Sequence, residues 1–245
     1  MSLLEVNERG LGGHGALPDP DMSVSGHFLT FVFECFTDLA FIPPLVVMCQ
    51  YGRHFEIYVG IMMLISAFAF NFLDAMNRGS KPEKAWTLLL EKEDWHRVSN
   101  VFGTTYVCVL FIHLTHIADE EVNILLRYLA FTFVAAAQII DGFWMQETHY
   151  TIYVVVGFAA LFIFRYFAVG QLPEFLSVSN FTKGVSIGAV AGFCFYLGQD
   201  DVDDEFRFAH GCSHIFGGVA LTFLWNLVPR KGKVKSDDDK SNAFV

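Results

Sequence analysis

From Gly26 onward the chain is a succession of apolar stretches, and their length constrains the fold more than any other feature. They run from Gly26 to Gln50, Phe55 to Met76, Val98 to Ala118, Val122 to Ile140, Tyr150 to Val169, Phe181 to Gly198 and Phe206 to Val228. Crossing hydrocarbon takes about 20 apolar residues in helical form. Lipid offers no partner to a backbone N–H or C=O, so each crossing must satisfy its own backbone as a helix. The expected fold is therefore all-α: a polytopic membrane protein with seven transmembrane helices in one bundle. The fourth and sixth stretches are the shortest. Pro43 and Pro44 are expected to kink the first helix. The domain reading is a flexible N-terminal tail over 1–25, the membrane domain over 26–228 and a tail of mixed charge over 229–245. An apolar share of 53%, with 27 Phe and a mean hydropathy of +0.42, agrees with this class.

Charge narrows the partners. The formal net charge is −10, which argues against nucleic acid as a partner. The N-terminal residues lack a basic stretch followed by an apolar one, so they read as a tail rather than a cleaved signal. Arg230, Lys231, Lys233 and Lys235 follow the last helix directly. The positive-inside rule then places the C-terminus in the cytosol and the N-terminus outside, in the plasma membrane or a secretory-pathway endomembrane. The loop from Arg78 to Lys92 carries four basic residues as well and pulls the other way. Five cysteines all lie in apolar stretches without a CxxC pair, which indicates neither a disulfide framework nor a zinc ribbon.

The sharpest local feature is Phe206 to Gly218, reading FRFAHGCSHIFGG. His210 and His214 stand four residues apart, so a helix stacks both imidazoles on one face. Such a pair can hold two corners of a metal site, and ionisable groups at membrane depth point to function. The competing reading is that the two rings hydrogen-bond to neighbouring helices and hold the bundle together. Cys212, midway between them, turns to the opposite face and reads as a packing residue. Alternating crossings bring the end of the second stretch, the start of the third and the start of the seventh to one side. Those places carry Asn71 and Asp74, then Asp94 and His96, then the His pair. A joint site of Asn71, Asp94, His210 and His214 follows, with Asp74 or Asp94 as its carboxylate.

Two further polar sets lie elsewhere. His113 and His116 form a second pair at the opposite end of the third stretch. With no polar cluster evident beside them, they read as interfacial and structural. Glu34 and Asp38 share a face of the first helix and can line a cavity or pair with Arg165, since charge buried in a membrane needs a partner.

These residues carry a resemblance to the CREST superfamily of seven-helix membrane proteins, which includes alkaline ceramidases, adiponectin receptors and the transmembrane protein eight and myomaker branch. The last branch is the most similar. Leu39 to Val46 (LAFIPPLV) resembles its first-helix motif and Asn71 to Asp74 (NFLD) stands at its His-Ala-Cys-Asp motif. Asp94 to Gly103 (DWHRVSNVFG) resembles the Asp-led start of its third helix, and Ala209 to His214 (AHGCSH) its HxxxH. The resemblance implies a zinc cofactor held by three histidines, a nearby Ser and Asp, and hydrolysis of lipid amides or esters. Carried over, His210 and His214 are metal ligands, Asp94 is the site Asp and Asp74 closes the second-helix motif. Asn71 stands where the third histidine is expected, and Ala67 where the Ser is expected. Asn is a poor zinc ligand, which makes the expected metal site of His210, His214 and Asn71 a degenerate one.

Two functions of different class follow. One is a zinc-dependent hydrolase of a membrane lipid, in which bound water with a pKa near ~7 supplies the nucleophile. The other is a non-catalytic membrane scaffold or membrane-remodelling protein of the myomaker type. A receptor of the rhodopsin type is weaker, because none of that class's helix motifs is present.

Overall fold

The computed structural model describes residues 24–77, 87–141, 149–169, 177–198, 204 and 207–230. The N-terminal tail before residue 24, most of the acidic loop before α8 and the tail after residue 230 lie outside the described residues. Among the described residues the fold is all-helical, with no β-strand.

The first segment is one continuous helical run with an irregular middle. Helix α1 (Val24–Phe31) passes into a π turn (Val32–Phe36), a 3₁₀ turn (Thr37–Phe41) and then α2 (Ile42–Gln50). Pro43 and Pro44 occupy the first turn of α2, where a missing N–H is tolerated. The irregular turns therefore lie before the prolines rather than at them. A proline ring crowds the carbonyl four residues back, and the 3₁₀ turn covers those positions. Gly52, at φ +67°, ends α2. Its left-handed backbone lets Arg53 N–H reach Met48 O at 3.1 Å, closing the helix and launching the next.

Six helices follow: α3 (His54–Asn77), α4 (Lys92–Leu114), α5 (Glu120–Asp141), α6 (His149–Val169), α7 (Val178–Leu197) and α8 (Phe208–Trp225). Among the described residues five helices are long and apolar enough to cross a membrane: Phe28–Gln50, His54–Asn77, Lys92–Leu114, Glu120–Ile140 and Thr151–Ala168. Helices α7 and α8, 20 and 18 residues long, fall outside that set; one carries Asn180 and Lys183 and the other His210 and His214.

The helices alternate in direction. The start of α1, the end of α3 and the starts of α4 and α8 share one end, here the near end. The α2–α3 turn, the end of α4, the start of α5 and Asn226 share the far end. Between the ends, Leu45, Met48, Val59, Met63, Tyr106, Leu110, Phe162 and Trp225 form the main buried cluster. A smaller one of Cys108, Ile112, Ala130, Val134 and Phe158 binds α4, α5 and α6. Lipid is as apolar as these side chains, so close packing and interhelical hydrogen bonds hold such a bundle. Small residues permit that approach. A Cβ at Gly211 would lie 2.8 Å from Phe33 O, and one at Gly218 would overlap Ala40 O, so α8 lies directly on the irregular turns of the first segment.

Candidate functional site

The near end holds a buried polar centre drawn from four segments. Glu34 and Asp38 come from the π and 3₁₀ turns; their side chains are 1% and 0% exposed. Asn71 and Asp74 come from the last turns of α3. Lys92 opens α4, and Arg207, His210 and His214 stand at the start of α8.

Asp38 is its hub. Asn71 Nδ2 donates to Asp38 Oδ2 at 2.9 Å and to Glu34 O at 3.1 Å. His214 Nδ1 lies 2.8 Å from Asp38 Oδ1. One carboxylate thus ties the first segment to both α3 and α8. Arg207 makes a second set of ties. Its Nε donates to Glu34 Oε1 at 3.1 Å and its Nη1 to Gly198 O at 3.1 Å, while its Nη2 lies 3.6 Å from Asp74 Oδ2. Lys92 Nζ completes the chain with Asp74 Oδ1 at 2.9 Å. Every one of these charges has an opposite charge or donor against it, which is what burial at membrane depth requires.

Two local devices position the His pair. Arg207 holds φ +57°, a left-handed conformation that costs a non-glycine residue on the order of 1–3 kcal/mol unless its surroundings over-determine it. Here three partners do so. Asp204 then accepts from Ala209 N–H at 3.0 Å and His210 N–H at 2.9 Å, satisfying two of the orphan donors of α8 and matching its positive end. The rings of His210 and His214 are 4.4 Å apart between centroids.

The structure brings together four of the five residues expected at the site: Asn71, Asp74, His210 and His214. Asp94 is elsewhere. Its side chain is 51% exposed, with Arg97 at 3.9 Å in the next turn. Helix α4 begins at Lys92, and two residues turn a helix by about 200°, so Lys92 rather than Asp94 meets Asp74. His96 stacks on Phe70 at 4.4 Å. Ser66 Oγ is turned back on its own helix, donating to Met62 O at 2.6 Å. Glu34 pairs with Arg207, whereas the Arg165 proposed from sequence is exposed and sits beside Tyr166, whose hydroxyl donates to Leu114 O at the far end.

The donors assembled can be tested against zinc, the cofactor that the resemblance implies. His214 is the better placed for a ligand role: its Nδ1 lies against Asp38 Oδ1, though without hydrogen-bond geometry, and Nε2 is the nitrogen left for a metal. His210 lies against it. Among the described residues no third ligand is supplied. Asn71 is turned to donate, Asp74 is engaged by two cations and Asp94 is remote. Among the described residues no three His, Cys, Asp or Glu converge into a metal-holding group.

A second buried polar set lies at the far end, which the sequence reading missed. Glu56, in the first turn of α3, has a fully buried side chain. Its Oε1 lies 2.5 Å from His113 Nε2 and accepts from Arg127 Nη1 at 2.7 Å. His113 is thus a core residue with a carboxylate partner, not an isolated interfacial one. His116, its neighbour in sequence, is exposed at φ +50°.

Comparison with known families places the chain. It matches a family described as protein of unknown function, DUF3522, over residues 26–215 of 245, and it belongs to that family. The match begins with the first helical segment and ends one residue after His214, so it takes in every residue of the near-end centre. No curated protein matches the chain.

Proposed function

We propose, from membership of the DUF3522 family and from the near-end centre, that this is a seven-crossing integral membrane protein with a non-catalytic role in the lipid bilayer. Its polar centre is a degenerate form of the CREST metal site, converted into a fastener of helices. The observation that carries this reading is the placement of Asn71. The amide standing where the resemblance expects a third histidine donates to Asp38 and to Glu34 O, and so locks α3 to the first segment. A membrane scaffold or remodelling protein needs such a rigid bundle, with membrane lipid as the partner of its outer surface.

The alternation of helix ends and the seating of α8 on the first segment support seven crossings. Arg53, Arg127, Arg165 and Arg230 at the far end support an orientation with the C-terminus in the cytosol and the N-terminus outside, in the plasma membrane or a secretory-pathway membrane. An antibody that reaches the C-terminal tail in intact, unpermeabilised cells would reverse it.

One observation favours the second reading, a zinc-dependent lipid hydrolase. His214 lies against Asp38 and its ring is 4.4 Å from that of His210, which supports two ligand positions. Zinc bound there would supply a Lewis acid and an activated water. Asp38 would orient His214, and Arg207 would hold the start of α8 in place. Turnover separates the two readings. Purified protein in nanodiscs containing ceramide and glycerophospholipid is expected to release fatty acid no faster than the His210→Ala, His214→Ala double variant. Release that the double variant loses would establish the hydrolase and sink the fastener.

A further inference from the structure

The far end holds a feature that owes nothing to the near-end centre. The Gly52 turn opens a cleft of about 210 Å³ between the first turn of α3 and the start of α5, with Arg53, Phe55, Glu56, Glu120, Arg127 and Tyr128 among its walls. Its charges are unequally matched. Arg127 Nη1 is 2.7 Å from Glu56 Oε1 and its Nη2 is 3.3 Å from Glu120 Oε1, so both carboxylates are directed at one guanidinium. Among the described residues the Arg53 side chain makes a single hydrogen bond, from Nη2 to Pro229 O at 2.8 Å, and no ion pair. Its Nε is buried without an acceptor. Burial lowers its pKa from the usual arginine range by more than the proximity of Glu56 and Glu120 restores.

We propose that this cleft binds a phosphate group, supplied by a lipid headgroup of the far-end leaflet or by a soluble phosphate compound. A guanidinium offers five donors in a planar fork that matches phosphate oxygens, and Arg53 has donors to spare. The first N–H groups of α3 have no acceptor within their own helix, and the positive end of its dipole faces the same turn. Place favours a headgroup source. Arg53 lies between the spans Phe28–Gln50 and His54–Asn77, at the depth of the headgroups if both helices cross. The rings of Phe55 and Tyr128, 5.5 Å apart, give an acyl chain an apolar wall. Glu56 opposes an anion least, being locked between Arg127 and His113. Glu120, 52% exposed at the rim, opposes it most.

Titrating the full chain in uncharged detergent tests this, with thermal unfolding as the readout. The probes are dioctanoyl phosphatidic acid, sodium phosphate and phosphate-free dioctanoylglycerol. At 100-fold excess over Kd the phosphatidic acid is expected to raise Tm by about 5 °C, and dioctanoylglycerol is expected to leave it unchanged. An equal response to sodium phosphate identifies a soluble source, and a response to the lipid alone identifies a headgroup. Arg53→Gln should weaken binding about tenfold. Because that change also removes the bond to Pro229, Glu120→Gln provides a second arm. It removes the rim carboxylate and should tighten binding several-fold. A response to dioctanoylglycerol equal to that of phosphatidic acid, or a Glu120→Gln affinity no tighter than that of the native chain, would overturn the proposal.

Discussion

At the near end Asp38 faces His214 across 2.8 Å, and at the far end Glu56 faces His113 across 2.5 Å. Both carboxylates are fully buried, both imidazoles come from another helix, and a basic or amide group completes each set. The surroundings differ. Glu56, His113 and Arg127 stand on three regular helices, with Glu120 meeting Arg127 at the exposed rim. The near-end set has three acids, Glu34, Asp38 and Asp74, and is built from irregular backbone: a π turn, a 3₁₀ turn and a left-handed Arg207. Backbone departures of this kind concentrate where a protein positions groups for function. The far-end set reads as a clamp. The near-end set, on the function proposed above, is a fastener built at a degenerate site.

Removing the hub of each set sharpens this contrast. Glu56→Ala leaves the buried His113 and Arg127 without their shared acceptor, and breaking a buried pair from one side costs about 3–5 kcal/mol. Asp38→Ala leaves Asn71 its bond to Glu34 O and strips His214 of one partner, at about 1–3 kcal/mol. Thermal or denaturant unfolding of the two variants in one detergent compares them. A loss at Asp38 equal to or larger than that at Glu56 would show that the near end is the main clamp.

A smaller effect probes the near-end strain directly. Arg207→Gly and Arg207→Ala remove the same ion pairs, but only glycine accepts φ +57° without steric conflict. The glycine variant should be more stable than the alanine variant by about 1 kcal/mol. Equal stabilities would mean that α8 does not depend on a left-handed start.

Much of the fold is legible in the sequence because each helix is an apolar run bounded by polar residues. The expected stretch from Phe55 to Met76 differs from α3 by one residue at each end, and Tyr150 to Val169 nearly coincides with α6. Alternation alone placed Asn71, Asp74 and the His pair at one end. Partner choice was not legible. Glu34 and Asp38 required knowing that Arg165, near the end of α6, falls at the far end, whereas Arg207 precedes α8 at the near one. The spacing held a usable signal, since Glu34 and Asp38 are four apart and Arg207 lies three before His210. That Lys92 rather than Asp94 meets Asp74 was not legible either, because it depends on where α4 starts. The Glu56 clamp was missed because its members lie on three helices and carry no motif.

Metal content of the native chain tests the central claim most directly. Protein purified without chelator, analysed for zinc and unfolded with and without EDTA, is expected to carry well under one zinc per chain and to keep the same Tm in EDTA. Asn71→His, which supplies the third imidazole, should bring zinc to one per chain and make Tm fall in EDTA, since a metal that binds only the folded state stabilises it. One chelator-sensitive zinc per native chain, lost in His210→Ala and unchanged in Asn71→His, would contradict the fastener and show a working metal centre at His210 and His214.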